Sequence, residues 1–295
     1  MAALARDGAR GLDILLVDTW LYRFLHEHRP LRGVKAPVAS FHQLCYWEGM
    51  GSPLARWRQR RRMARALDGA RHHIGVSRHV LRLDGVGRGS TAVIPPGRDL
   101  AAPVAPSRAK PRGELRVVSI GNYTSRRGHH VLVEALGAMP ARDRSGITLR
   151  IIGNRDFDPG YAASLEALVA RHGLQGMVVL DGWKSREEVG RILLESDALA
   201  FASQGEGYGM VVAEALLHRL PVVLSPLGVV KELVGGQACG RADGRHAHWL
   251  RAWRDLGEEE FAALREEARA LGRRLARPWD EVVDRFEEAL GAWAR

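Results

Sequence analysis

From residue 115 onward the chain repeats one pattern: a short, almost wholly apolar run followed by a longer stretch with helical spacing. The runs are "LRVVSIG" (115–121), "ITLRIIG" (147–153), "MVVLDG" (177–182), "ALAFAS" (198–203) and "LPVVLS" (220–225). Between them lie "GHHVLVEALGAM" (128–139), "YAASLEALVARHG" (161–173), "SREEVGRILLES" (185–196) and a helix that opens after the glycines at 205–209. A strand that is apolar throughout, rather than at alternate residues, is buried on both faces. Both faces are covered only when helices cross between parallel strands. The spacing therefore predicts an α/β fold with a doubly wound parallel sheet, and ligands of such sheets bind at the carboxyl ends of the strands.

The first hundred residues carry a weaker version of the same pattern. "LDILLVD" (12–18), "APVASFH" (36–42), "HHIGVS" (72–77) and "STAVIPPG" (90–97) read as strands. "PLARWRQRRRMARALDGA" (53–70) reads as a helix with Arg58, Arg61, Arg62 and Arg65 on one face and Met63, Ala66, Leu67 and Ala70 opposite. "AAPVAPSRAKPRGE" (101–114) has three prolines and no periodicity, and reads as a linker between two domains.

Charge is concentrated at this end. Residues 1–100 hold 17 Lys and Arg against 8 Asp and Glu, whereas the remaining 195 hold 27 against 26. A basic lobe beside a neutral one suits an acidic partner: a phospholipid surface, a phosphorylated substrate or nucleic acid. Nucleic acid is disfavoured, because neither a zinc-finger spacing nor aromatic RNA-binding strands are present. The arginine face suits either a solvated surface or contact with an anionic membrane. No run approaches the roughly 18 apolar residues of a membrane span, and the N-terminus does not read as a signal peptide. Cys45 and Cys239 are too few for a disulfide framework and fit small core residues of a reducing compartment. A cytoplasmic location is expected.

"QGEGYGMVVAEAL" (204–216) places Glu206 in a turn with Gly205, Gly207 and Gly209, and Glu214 in the helix that follows. Were the span wholly helical, the two carboxylates would lie roughly 12 Å apart along the axis. A retaining glycosidase pair is only about 5 to 5.5 Å apart. A helix start behind glycines suits a phosphate. The pair therefore suits two hydroxyl-bearing ends of an elongated ligand with phosphates between them. Taken alone, the stretch reads equally well as a glycine-rich strand–helix turn with one surface and one buried glutamate.

The neighbouring motifs extend that reading. "ASQGEGYGMVVAEA" resembles the "PS-x-x-EGFG-x-x-x-x-EA" pattern of retaining glycosyltransferases of the GT-B fold, family 4, and "HRLPVVLSPLGVVKELV" resembles the segment that follows it there. "VASFHQ" resembles the strand that ends in a histidine beside the reaction centre, here His42. "IGVSRHV" resembles a strand–helix turn at Ser77, and "VIPPGRD" resembles the "IPNGVD" that closes the first domain. "SIGNYTSRRGHHVLVEAL" resembles the "GR-x-x-x-x-KG" segment, with Asn122 and Arg127 in place of Arg and Lys. "VVLDGWKSREEV" resembles the loop beside the nucleotide base, and "ARPWDEVVDRFEEAL" resembles the closing helix, with Trp279 as its anchor.

The resemblance implies two Rossmann-like lobes facing across a cleft: a partial acceptor-side domain (1–105), a nucleotide-sugar domain (106–277) and a closing helix (278–295) returning to the first. It implies retaining, metal-independent transfer of a sugar from a nucleotide-sugar donor to a glycan, lipid-linked or small-molecule acceptor. Catalytic roles would fall to His42, Arg127 and Glu206. The donor would be held by Gly121, Asn122, Arg127, Gly182, Trp183, Glu206, Gly207, Tyr208, Gly209, Met210, Val211, Glu214 and Lys231. No cofactor is expected, the nucleotide sugar (UDP, GDP, ADP or TDP) being a substrate. The first lobe is expected to begin about halfway through the family's first domain: either it is shortened, or a homodimer or partner chain completes it, or the start codon is misassigned. Asn122, which cannot replace an arginine's charge, keeps open a second reading: a non-catalytic homologue acting as a donor-binding or scaffolding subunit.

Overall fold

A computed structural model describes residues 14–19, 38–42, 52–84, 89–98 and 109–294. The linker residues 101–108, Cys45 and the first two residues of the strand expected at 12–18 lie outside the described residues. The chain divides into two compact units. The first comprises Met1–Leu100, Gly205–Tyr208 and Arg277–Arg295; the second comprises Ala101–Gln204 and Gly209–Ala276.

Among the described residues, the first unit carries four parallel strands in the order β1 (Leu15–Asp18), β2 (Val38–His42), β3 (His72–Gly75) and β4 (Ser90–Val93). Helix α1 (Pro53–Ala66) joins β2 to β3; Ser52 caps it and Pro53 occupies its first turn, where a missing N–H costs nothing. It stops at Ala66, so the expected continuation to Ala70 becomes a turn. Helix α2 (Arg78–Leu83) is capped by Ser77. Strand β4 ends four residues short of the predicted run: Ile94 still donates to Gly75 O at 2.9 Å, but Pro95 and Pro96 carry no donor to continue the ladder.

The second unit is the larger core. Its six parallel strands are β5 (Leu115–Ile120), β6 (Ile147–Ile152), β7 (Val178–Leu180), β8 (Ala198–Phe201), β9 (Val222–Leu224) and β10 (Gly240–Arg241). They lie in the order β10-β9-β8-β5-β6-β7. The crossovers are α3 (His129–Gly137), the single turn α4 (Ala141–Arg144), α5 (Pro159–Arg171), α6 (Arg186–Glu195), α7 (Met210–Leu217) and α8 (Gly228–Val234). The side chains of β8 and β9 are wholly buried, as strands covered on both faces require. Local signals start the helices: Asp158 accepts from Tyr161 N in α5, and Ser185 with Glu188 forms a capping box on α6. Helices α9 (His246–Asp255) and α10 (Glu258–Leu275) complete the unit.

Helix α11 (Trp279–Trp293) belongs to the first unit. Phe286 meets Phe41 edge-on at 6.1 Å, Trp293 stacks on His72 at 4.8 Å, and Arg285 donates to Val93 O at 3.1 Å. Trp279 lies over Gly97, where a Cβ would fall 2.7 Å from its ring. Among the described residues no helix is long and apolar enough to cross a membrane.

Candidate functional site

The strand order puts a switch point in the second unit. From β5 the chain steps outward through β6 and β7, then returns to the other side of β5 and steps outward through β8, β9 and β10. The loops that leave β5 and β8 therefore diverge from adjacent strands, which opens a ligand crevice at the carboxyl edge. Gly121, Asn122 and Arg127 lie on the first of these loops; the turn holding Glu206 and the start of α7 lie on the second. Gln204 N donates to Arg126 O at 2.8 Å and ties the two together.

The β5 loop is set by close packing. Gly121 N donates to Ile152 O at 2.9 Å, and Tyr123 N to Asn154 O at 3.1 Å. A Cβ on Gly121 would lie 2.9 Å from Arg127 Cδ, so the Arg127 side chain crosses directly over it. Beneath, Gly153 approaches so closely that a Cβ there would fall 1.9 Å from Gly121 O. His129, at the start of α3, is buried and bonds Gly121 O through Nε2 at 3.0 Å, with Ser119 Oγ 3.2 Å from Nδ1. Burial pushes its imidazole down to about 4, the Gly121 hydrogen bond opposing and the Arg127 charge adding. His129 is thus a neutral prop beneath this loop. Asn122 is exposed and Arg127 half-buried.

On the β8 side the chain reaches α7 through Gly209, whose φ of 95° is left-handed and favours glycine. Gly209 brings no side chain to the start of α7, and a helix N-terminus suits an anion. Met210 and Val211 form its first turn, Met210 being 40% exposed, and Glu214 sits one turn further, half-buried. Residues 205–208 group with the first unit. Gly207 and Tyr208 are buried there, Ser77 Oγ donates to Gly207 O at 2.9 Å, and Glu206 is half-buried, with Oε1 3.3 Å from Gly207 N. Lys231 is exposed on α8.

The β7 loop holds Gly182 and Trp183. Tyr123 hydroxyl donates to Asp181 O at 2.8 Å, and burial raises its pKa to about 12. Burial would raise the Asp181 carboxyl, but hydrogen bonds from Lys184 and Arg150 hold it below the usual range. Trp183 itself is 70% exposed beside this braced backbone.

His42, at the end of β2, is fully buried in the first unit. Its Nε2 is 2.8 Å from Ser40 Oγ, its Nδ1 meets Asp84, and Ser40 also contacts His73 Nδ1 at 2.6 Å. Both ring nitrogens are therefore engaged. Ser40 and His129 lie inside motif segments that do not single them out, His73 and Asp84 lie in none, and only their placement brings the four to notice. Asp84 is 42 residues from His42, and no local spacing signals the pair. Cys239 is buried, which lifts its thiol to about 12.

Residues 104–244 match the family model "Glycosyl transferases group 1". The chain is 30% identical over 224 residues to the D-inositol 3-phosphate glycosyltransferase of Xylanimonas cellulosilytica, a match covering 69% of this chain and 52% of that one. It is 30% identical over 123 residues to the lipopolysaccharide core biosynthesis glycosyltransferase LpsE of Rhizobium meliloti, covering 41% and 33%. The chain spans about half the length of the D-inositol 3-phosphate glycosyltransferases it matches. Among solved structures, Anabaena HepE in complex with UDP superposes with a TM-score of 0.76 at 18% identity, over 99% of this chain and 81% of that one. TarM superposes with a TM-score of 0.71 at 13% identity, over 94% and 54%. The chain has the α/β fold of the GT-B glycosyltransferases, and the likeness to the glycosyl transferases group 1 family lies in its residues 104–244.

Proposed function

We propose that the protein transfers a sugar from a nucleotide-sugar donor to an acceptor hydroxyl, with retention of configuration and without a bound metal. The observation that carries this reading is the crevice at the β5/β8 switch point. It combines an arginine folded over a glycine backbone, a helix that starts behind a left-handed glycine, and a glutamate one turn into that helix. Arg127 and the N–H groups at the start of α7 would hold the diphosphate, joined by Lys231, and Glu214 would accept hydrogen bonds from the ribose hydroxyls. Glu206, with the Gly207–Val211 backbone, would hold the transferred sugar. Gly121 and Asn122 would line the diphosphate through their backbone, and Gly182 and Trp183 would flank the base.

In the step proposed, the bond from the anomeric carbon to the diphosphate oxygen breaks, and the electron pair leaves on the diphosphate. The acceptor oxygen bonds to the same face of that carbon, and its proton passes to the departing phosphate oxygen. Arg127 and the α7 dipole would stabilise the charge that develops there. His42 is assigned to catalysis from the first unit, held in one orientation by Asp84; Ser40 must yield Nε2 for that nitrogen to reach a ligand. UDP is the first donor nucleotide to test, because HepE is solved with UDP and with UDP-glucose.

The exposed Asn122, where the family carries an arginine, favours one second reading: a donor-binding subunit without turnover. Calorimetric titration of UDP, GDP, ADP and TDP, followed by nucleotide release from the matching UDP-, GDP-, ADP- or TDP-sugar, separates the two. Binding that falls at least tenfold in Glu214→Ala, with nucleotide release, supports transfer. Binding without release under any acceptor supports the subunit, and no binding to any of the four nucleotides refutes both.

A further inference from the structure

We propose that the arginine face of α1 is a docking surface for an anionic phospholipid bilayer. The inference concerns the first unit alone and stands independently of the glycosyl-transfer reading.

The 14 residues of α1 include six arginines and no acid. Gln59, Met63 and Ala66 point into the unit and are buried. At about 100° per residue, Leu54, Trp57, Arg58, Arg61, Arg62 and Arg65 fall within one outward arc of roughly 140°. Leu54 is 55% and Trp57 51% exposed, and the four arginines are exposed as well. Two shallow hollows of about 300 and 330 Å³ flank this arc, and Arg58 and Arg62 line both. Arg61 lies 4.7 Å over the Trp57 ring.

A cationic surface alone would suit any polyanion. The apolar pair within the same arc narrows the choice. Leu54 and Trp57 project from the first turn and a half of the helix, on the side that bears the guanidinium groups. A hydrated polyanion offers nothing that removes Leu54 from water, whereas the headgroup–acyl boundary of a bilayer does. Tryptophan, with an apolar body and one N–H, favours that boundary. Guanidinium groups pair with phosphodiester oxygens in a two-pronged geometry that survives partial dehydration. Helix α1 would thus lie along the membrane plane, arginines at the phosphates and Leu54 with Trp57 just below. Such binding is weak and reversible, since each arginine near an anionic leaflet contributes about a fivefold gain in affinity.

The test is co-sedimentation of the whole chain with phosphatidylcholine vesicles, with and without one third phosphatidylglycerol, at about 50 and 300 mM salt. The expected result is binding to the anionic vesicles, weaker at high salt and absent on neutral ones. Replacing Arg58, Arg61, Arg62 and Arg65 by glutamine should lower the partition coefficient at least 100-fold while leaving the thermal midpoint within a few degrees of the parent. Should that variant unfold, the pairs Arg58→Gln/Arg62→Gln and Arg61→Gln/Arg65→Gln should each lower it at least tenfold. Leu54→Ala/Trp57→Ala should weaken vesicle binding at both salt levels and leave heparin retention as it was. Equal partition onto neutral vesicles, or unaltered binding by folded arginine variants, overturns the proposal. So does vesicle binding indifferent to Leu54→Ala/Trp57→Ala, which would make the face a general polyanion surface.

Discussion

Gly121→Ala tests the diphosphate site by adding one methyl group beneath Arg127 while removing no charged group and no backbone N–H. The backbone at Gly121 is not in the left-handed region, so alanine brings no strain of its own. Its Cβ would instead meet Arg127 at 2.9 Å from Cδ, 3.1 Å from Cγ and 3.2 Å from Nε. These atoms belong to a flexible side chain, which swings aside at little cost to stability and carries its guanidinium off the crevice. A hydrogen bond to a charged group contributes about 1.5–3 kcal/mol. Calorimetric titration with UDP should therefore show roughly 10- to 150-fold weaker binding, with a thermal midpoint within a few degrees of the parent. Arg127→Ala should lose a similar amount. Because both changes remove the same contact, the double variant should be little worse than either single one, a coupling about as large as the single effect. Wild-type affinity in folded Gly121→Ala would refute the account, and so would losses that add in full.

Two further predictions concern the same loop. Gly153→Ala drives a Cβ to 1.9 Å from the carbonyl oxygen of Gly121, a backbone atom between two paired strands with nowhere to go. It should cost about 3 kcal/mol, a fall in thermal midpoint of roughly 6–12 °C by calorimetry, and a midpoint unchanged within 2 °C would show that the loop is not so tightly packed. His129 should make stability depend on pH. Its folded pKa of about 4 lies below the ordinary 6.5, so both states leave it neutral above pH 6.5, and its contribution is then complete. Between pH 6.5 and 4 the unfolded chain takes up a proton that the folded chain refuses, and roughly 3 kcal/mol is lost. Urea unfolding of His129→Gln should show a shallower decline over that window, and parallel curves for the two proteins would refute the assignment.

What the sequence makes legible here is what neighbouring residues decide. β8 and β9 are apolar through their length because both faces are covered, and β5, β6 and β7 are mostly so, which is why the strands and their parallel arrangement follow from the runs themselves. The spacing of Glu206 and Glu214 around a glycine turn likewise survives as a loop and a helix. Strand order is another matter. That β5 lies between β6 and β8 depends on contacts some 80 residues apart along the chain, and this order alone makes the β5 and β8 loops diverge. The same holds for Gly121, whose need to be glycine comes from an arginine six residues on. It holds too for His42, a strand-end histidine in the sequence, whose ring the fold seals between Ser40 and Asp84. A motif thus names the residues that would meet a ligand, while the groups that aim them are scattered through the chain. Arg127 illustrates the division: its charge is read from one letter, but its position over the crevice is set by the absence of a side chain at Gly121.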